Sequence, residues 1–191
     1  MYIATMYSYG MDNDCVGVDG IDSCMGVFLV YDRMMFAIHV PNNSSEVNEQ
    51  GKETFVTFIK KQIPKYKGSN ARLYAVVNNI SRGKPGAEDE VRGYITRLKP
   101  AETVFTRLRD NVSGVAAAVL CELAPIGSRG VALKYQPHAT AGWQNNSGGT
   151  PRSGSYKNHG YDGVFSVSST SGVAGWVPVN ISNSDMTLLK V

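Results

Sequence analysis

Apolar residues near the start of the chain fall into two short blocks, and their arrangement predicts a β-hairpin. Both blocks, residues 24–31 and residues 34–40, are rich in apolar side chains, many of them β-branched or aromatic. Asp32 and Arg33 separate the blocks, as a tight turn between antiparallel strands would. We therefore predict that the first strand begins near residue 24 and that the second strand ends near residue 40.

Two longer segments carry the near-helical spacing of apolar residues. A loop with helix-capping residues, 41–45, precedes the first segment, which ends at Pro64. Pro85 opens the second segment and Pro100 closes it. The spacing predicts an amphipathic helix over residues 46–63 and a second helix between the two later prolines.

The remaining apolar runs are short and are separated by Gly, Asn, Ser and Pro, which is typical of strands and turns. We predict strands in seven such runs: residues 72–77, 103–108, 115–123, 131–135, 164–168, 176–181 and 186–191. Residues 142–160 have no apolar period and predict a long surface loop, which either borders an active site or connects strands. The whole pattern indicates one α+β domain, residues 1–191, built as a mainly antiparallel β-sandwich with two or three flanking helices.

The composition is that of an ordinary globular protein. Hydrophobic residues make up 42% and charged residues 18% of the 191 positions, and the formal net charge is +3. This charge is too small and too mixed with acidic residues to predict nucleic-acid binding. No apolar stretch approaches the roughly 20 residues that a membrane span needs, and no Gly-rich nucleotide-binding motif is present. We therefore expect no membrane insertion and no cofactor.

The cysteines direct attention to the predicted hairpin. Cys15, Cys24 and Cys121 are an odd set, so at least one thiol is expected to be free. Cys121 lies between leucines in an apolar run and is most simply a core residue. Cys24 stands at the start of the hairpin, after a turn-like stretch at residues 19–23, and His39 lies fifteen positions later, near the end of the second strand.

The hairpin is expected to bring these two residues together. Counting outward from a turn centred near residues 31–32 pairs residue 24 with residue 39, and directly opposed residues have Cβ atoms about 4.5–5.5 Å apart. A cysteine becomes a strong nucleophile when a neighbouring histidine takes its proton. The sequence therefore predicts a catalytic pair in which Cys24 is the nucleophile and His39 is the base.

Other interpretations of these residues stay open. Taken alone, Cys24 fits a small apolar core residue, and His39 fits a hydrogen-bonded side chain at a strand end. His138 and His159 are alternative bases for Cys24, as in thiol proteases whose histidine is distant in sequence. Cys15, Cys24 and His39 provide zinc-type donor atoms, but their spacing is not that of a zinc site, so no metal is predicted.

The hairpin sequence resembles that of a known enzyme family. The catalytic hairpin of the chemoreceptor glutamine deamidase family CheD is similar to residues 20–32, Gly-Ile-Asp-Ser-Cys-Met-Gly-Val-Phe-Leu-Val-Tyr-Asp, and to residues 35–41, Met-Phe-Ala-Ile-His-Val-Pro. The Cys-to-His interval also resembles the deamidase domains of the cytotoxic necrotising factor and Burkholderia lethal factor toxins. The resemblance covers residues 16–64. It implies a β-sandwich with flanking helices that converts glutamine side chains of target proteins to glutamate.

The resemblance also implies roles for individual residues. Cys24 maps to the nucleophile and His39 to the base of the family. CheD and the lethal factor place a catalytic threonine six residues before the cysteine, where this chain has Val18. Val18 would orient the imidazole through its backbone carbonyl, as the necrotising factor does, and Asp19 and Asp22 are the side-chain alternatives.

The turn before the nucleophile would complete the site. The backbone amides of Ser23 and Cys24 would hold the oxyanion that forms during attack on the amide. The toxin members carry Leu-Ser-Gly-Cys at this point, whereas this chain has Ile-Asp-Ser-Cys at residues 21–24. The site implied is a thiol site without metal or other cofactor, and the partner implied is a protein that presents a glutamine side chain.

The two branches of the family imply different locations. The toxin relatives are effectors that enter a target cell, whereas CheD works in the cytoplasm of its own bacterium. The first twenty residues carry three aspartates and lack the pattern of a Sec-type signal peptide. We therefore expect a monomeric effector exported by a leaderless route, with the bacterial cytoplasm as the alternative location. The alternative functions are a cysteine protease and a non-enzymatic β-rich binding module.

Overall fold

Local sequence preferences account for most of the elements that the computed structural model shows. The structure describes residues 2–13, 15–78, 84–108, 117–123, 131–137, 153–155, 165–166, 177–178 and 187–188. In these ranges the strands are β1 (Tyr2–Ala4), β2 (Ser8–Asp12), β3 (Cys15–Ile21), β4 (Met25–Tyr31), β5 (Met34–Val40), β6 (Ala71–Val77), β7 (Glu102–Arg107), β8 (Ala117–Leu123), β9 (Val131–Pro137), β10 (Ser153–Ser155), β11 (Phe165–Ser166), β12 (Val177–Pro178) and β13 (Thr187–Leu188). The α-helices of the same ranges are α1 (Ser45–Gln62) and α2 (Lys84–Leu98).

The strands form two mixed, mostly antiparallel sheets. Sheet A has the order β11-β1-β3-β8-β9-β12, with four strands at its centre and a two-residue strand at each edge. Sheet B has the order β10-β2-β5-β4-β6-β7-β13, with five strands at its centre. Among the described strands, β1 and β3 pair in parallel in sheet A, and β6 and β7 do so in sheet B.

Sheet B is buried on both faces. On one face Val27 and Leu29 pack with Phe55 of α1 and Tyr94 of α2 in a helix-side core. On the other face Phe28 and its neighbours pack against sheet A in an inter-sheet core. A strand buried on both sides carries an unbroken apolar run rather than an alternating one, which explains the sequence of β4.

The predicted fold class is confirmed, since the described chain is α+β with two mostly antiparallel sheets and two helices. The predicted helices differ from α1 and α2 by only one or two residues at their ends. Both strands of the predicted hairpin are present, as β4 and β5. Among the described residues, neither α-helix combines the length and apolar character needed to cross a membrane.

Two parts of the sequence prediction are wrong. No strand was predicted before residue 24, yet β1, β2 and β3 lie there, and Asp19 and Gly20 belong to β3 rather than to a turn. Glycine and aspartate are depleted in strands, so the sequences of β2 and β3 do not predict strands. Pairing of β2 with β5 and of β3 with β8 outweighs this low strand propensity. The predicted loop 142–160 contains β10, which pairs with β2. The rest of that loop lies outside the described residues.

Candidate active site

The two predicted catalytic residues lie at one end of the β4–β5 hairpin. Cys24 is the last residue of a bend at residues 22–24, directly before β4 begins at Met25. His39 is the second-last residue of β5. The hairpin therefore brings the beginning of one strand beside the end of the next, as the two apolar blocks predicted.

The predicted pairing of residue 24 with residue 39 is wrong by two residues. His39 lies opposite Gly26, and the last pair before the turn is Tyr31 with Met34. The turn is thus the two-residue segment Asp32–Arg33, with Asp32 at a positive φ of 52°. Because this turn is centred between residues 32 and 33, Cys24 lies two residues before Gly26, the residue opposite His39, and is the diagonal neighbour of His39.

His39 belongs to the inter-sheet face of sheet B, and Cys24 lies in the bend beside it. Side chains alternate along a strand, and Met25 belongs to the helix-side core, so its neighbour Gly26 faces the inter-sheet side. His39 shares that side because directly opposed residues point the same way. Diagonal neighbours have Cα atoms about 7–8 Å apart, within reach of long side chains, so an imidazole can approach a thiol from this position.

The glycine opposite His39 allows sheet A to pack closely against this part of β4. A Cβ atom at Gly26 would lie 3.0 Å from Ile21 Cδ1 and 3.3 Å from Val18 Cβ, both from sheet A. Val18 is fully buried and therefore lines the space opposite the His39 face of sheet B. The pairing of β3 with β8 becomes irregular directly after Val18, where Gly20 has a φ of 69°.

The other residues predicted near the nucleophile differ in exposure. Asp22 is exposed and Ser23 is half-buried, both in the bend before β4. The Asp19 carboxylate accepts a hydrogen bond from the backbone amide of Gly20 at 2.9 Å, which stabilises the irregular end of β3. The bend thus places the amides of Ser23 and Cys24 at the end of a central strand of sheet B.

Burial separates Cys24 from the two other cysteines. Cys24 is 8% exposed, whereas Cys15 is 5% exposed and Cys121 is fully buried. Desolvation by burial raises the pKa of both the Cys15 and the Cys121 thiol, so neither forms a thiolate readily. Cys24 and His39 are both buried, and Cys24 is the more exposed residue of the two, at 8% against 1%.

The same end of sheet B contains a residue that the sequence analysis missed. β6 flanks β4 on the side opposite β5, with Val77 paired to Met25, so Asn78 follows β6 beside Cys24. Asn78 is 3% exposed, and its Nδ2 donates a hydrogen bond to the backbone carbonyl of Ile21 at 3.0 Å. The only sequence signal is a polar residue directly after a buried apolar strand, which cannot indicate a neighbour 57 positions away.

The arrangement provides the parts of a thiol-based acyl-transfer site: a sulfur, an imidazole on the adjacent strand and backbone amides beside the sulfur. The alternative bases His138 and His159 lie outside the described residues. Within the described ranges, no three His, Cys, Asp or Glu side chains lie close enough together to hold a metal ion.

Comparisons with known proteins add no assignment to this geometry. No protein-family model matches the chain, and no curated protein sequence matches it significantly.

Proposed function

We propose that the protein is a cysteine-dependent deamidase of glutamine side chains in another protein. One observation carries the proposal: Cys24 lies in the bend directly before β4, diagonal to His39 on the adjacent antiparallel strand, with only a glycine directly opposite the histidine. The resemblance of residues 20–41 to the CheD hairpin supports glutamine as the substrate side chain.

The proposed reaction has two stages. His39 accepts the thiol proton of Cys24, and the thiolate attacks the carbonyl carbon of the glutamine carboxamide. The amides of Ser23 and Cys24 stabilise the oxyanion, and the imidazolium then gives its proton to the departing ammonia. A water molecule, deprotonated by His39, hydrolyses the thioester to glutamate and restores the thiol.

A third group is needed to hold the imidazole in the required orientation. In this proposal the backbone carbonyl of Val18 serves that purpose, since Val18 lines the space opposite Gly26. Asp19 and Asp22 are the side-chain alternatives, and Asp22 is the less suited because it is exposed while His39 is buried. Substituting each aspartate by asparagine separates these alternatives, because only a carboxylate that contacts the imidazole changes the pH profile of kcat.

The proposed setting is that of an exported effector which acts on a protein of a target cell. In this proposal the substrate is a protein because the proteins that the hairpin resembles act on glutamine side chains of target proteins. Transfer of the acyl group to an amine in place of water would give a transglutaminated product by the same intermediate.

Mass spectrometry of a treated cell lysate tests the proposal. The wild-type protein should convert particular glutamines to glutamates, and the Cys24→Ser variant should leave them unchanged. Cleaved peptide bonds in place of converted glutamines would identify a cysteine protease and overturn the proposal. A lysate that is identical after treatment with the wild type and with the variant would also contradict it.

A further inference from the structure

Asn78 connects two segments that are distant in sequence at the candidate site. Its Nδ2 donates a hydrogen bond to the carbonyl oxygen of Ile21 at 3.0 Å. Ile21 is the last residue of β3, in sheet A, whereas Asn78 follows β6 of sheet B. The bend that ends at Cys24 begins directly after Ile21, so this hydrogen bond fixes the start of the bend to sheet B.

The strand order places Asn78 and His39 on opposite sides of the nucleophile. β4 lies between β5 and β6, with Gly26 opposite His39 in one pair and opposite Val76 in the other. Val76 belongs to the inter-sheet core, and side-chain alternation gives Asn78 the same side. Asn78, Cys24 and His39 therefore lie at the same end of three adjacent strands of sheet B.

We infer that Asn78 is a positioning residue of the thiol site: it holds the bend at residues 22–24 so that the amides of Ser23 and Cys24 point at the developing oxyanion. This inference rests on the proposed deamidase function. Asn78 itself touches no reacting atom in this account and acts through the Ile21 carbonyl.

The burial of Asn78 favours this role over a surface contact. The side chain is 3% exposed, and burying an amide donor is unfavourable unless it is hydrogen-bonded, as Nδ2 is to the Ile21 carbonyl. A bend without such an anchor would sample several backbone conformations. Misplacement of reacting groups by about 1 Å costs on the order of 10²-fold in rate, so a single hydrogen bond at this point is expected to affect catalysis.

Kinetics of an alanine variant test the inference, and the chain offers a matched control. Asn48 of α1 is also 3% exposed, but its Nδ2 donates to Asn43 and Glu90 on the helix side of sheet B. Asn78→Ala should lower kcat by roughly 10- to 100-fold with KM nearly unchanged, because only transition-state contacts are lost. Asn48→Ala should lower the melting temperature to a similar extent while kcat stays at the wild-type value. Equal kcat values for Asn78→Ala and Asn48→Ala would overturn the inference.

A second measurement does not depend on activity. Amide hydrogen exchange of the peptide that contains residues 22–24 should be faster in Asn78→Ala than in the wild type, and unchanged in Asn48→Ala. Unchanged exchange in Asn78→Ala would overturn the inference even if the wild type is an active deamidase. Faster exchange in a protein without deamidase activity would instead contradict the proposed function and leave the anchoring role of Asn78 standing.

An isosteric variant covers the case in which Asn78→Ala does not fold. Asn78→Asp keeps the shape of the side chain and replaces the donating amide by an oxygen. It should show the same loss of kcat and the same faster exchange of residues 22–24. Wild-type kcat and exchange in this variant would overturn the inference.

Discussion

Cys24 and His39 contribute different properties to the candidate site. Cys24 is 8% exposed, at the end of the central strands of sheet B, whereas His39 is 1% exposed. In the proposed reaction the substrate side chain therefore meets Cys24 before His39. His39 would act in a region from which water is largely excluded, where its hydrogen bonds are stronger than in solution.

The first prediction concerns the catalytic pair. Cys24→Ser should abolish glutamine deamidation, and His39→Ala should lower it by roughly 10²–10⁴-fold, the usual contribution of a general base. Cys24→Ser should unfold at a temperature near that of the wild type, whereas His39→Ala should unfold at a lower temperature, because it removes a buried imidazole. Activity is therefore compared at a temperature at which both variants are folded. Ammonia release and circular dichroism are the measurements.

Cys15→Ser is the matched control for the catalytic pair, because Cys15 is buried in sheet A and has no role in the proposed reaction. It should keep full activity. Activity retained by Cys24→Ser, or lost in Cys15→Ser without unfolding, would contradict the assignment of the nucleophile.

The second prediction concerns thiol reactivity. Iodoacetamide should modify Cys24 of the native protein well before Cys15 or Cys121, because burial raises the pKa of the latter two thiols and Cys24 is the most exposed of the three. Peptide mapping after timed exposure measures the three rates. Equal protection of all three cysteines until denaturant is added would show that Cys24 is only a core residue.

At the level of single elements, the hairpin could be predicted from the sequence but its register could not. Two apolar blocks around Asp32 and Arg33 suffice to predict two strands and a turn. The pairing depends on the turn conformation, and a shift of the centre from 31–32 to between 32 and 33 moves the partner of His39 from Cys24 to Gly26. Asn78 was beyond prediction, because the adjacency of β6 and β4 is a property of the whole sheet.

The third prediction concerns the packing of β4 against sheet A. Gly26→Val should lower the free energy of unfolding by about 1–3 kcal/mol, because the new side chain would overlap Ile21, Phe28 and Val18. It should also reduce activity in the fraction that remains folded, since it fills the space opposite His39. Chemical denaturation and ammonia release are the measurements.

Gly86 provides the control for this substitution. It lies in the first turn of α2, and a Cβ atom there would meet nothing within 4 Å. Gly86→Ala should therefore raise the free energy of unfolding by about 0.5–1 kcal/mol and leave activity unchanged. If Gly26→Val were as stable and as active as the wild type, the space opposite His39 would not be closely packed.

For the whole molecule, the sequence predicted the class of fold but not how the N-terminal residues enter it. The helices and the apolar strands have strong local patterns, and they appear where expected. β2 and β3 contain glycine and aspartate, and they become strands because long-range pairs with β5 and β8 satisfy their backbone. β1 has only three residues, and it pairs with β3 and β11. Val18 accordingly lies on a central strand of sheet A rather than in a segment leading into a turn.

The fourth prediction concerns the stability of the three-layer molecule towards acid. Glu49 of α1 accepts a hydrogen bond from Lys52 at 2.8 Å and pairs with Arg97 of α2, and the hydrogen bond from Lys52 is the main reason that the pKa of Glu49 is lowered. A lowered carboxyl pKa stabilises the folded state above the ordinary value of 4.5, and this contribution is lost as the pH falls through the lowered pKa.

Glu49→Gln should therefore lower the melting temperature at neutral pH and have no effect in acid well below the pKa of Glu49. The effect at neutral pH is expected to be less than about 1 kcal/mol, because the Glu49 side chain is 42% exposed and water screens its pairs. Glu53→Gln, on the exposed part of the same helix, is the control and should show no such pH dependence. A Glu49→Gln effect that is equal at both pH values would show that the ion pair does not contribute.

The order of the strands along the chain affects how the sheets form during biosynthesis. In the described part of the chain, all four outermost strands come after residue 152: β11 and β12 in sheet A, and β10 and β13 in sheet B. Before β10–β13 have been synthesised, the outermost strands are β1 and β9 in sheet A and β2 and β7 in sheet B. Each of these strands then has unpaired backbone groups with which a strand of another copy could pair. The four strands that cover these rows are made only after residue 152, so the time between synthesis of β9 and synthesis of β13 is when the protein is most prone to aggregate.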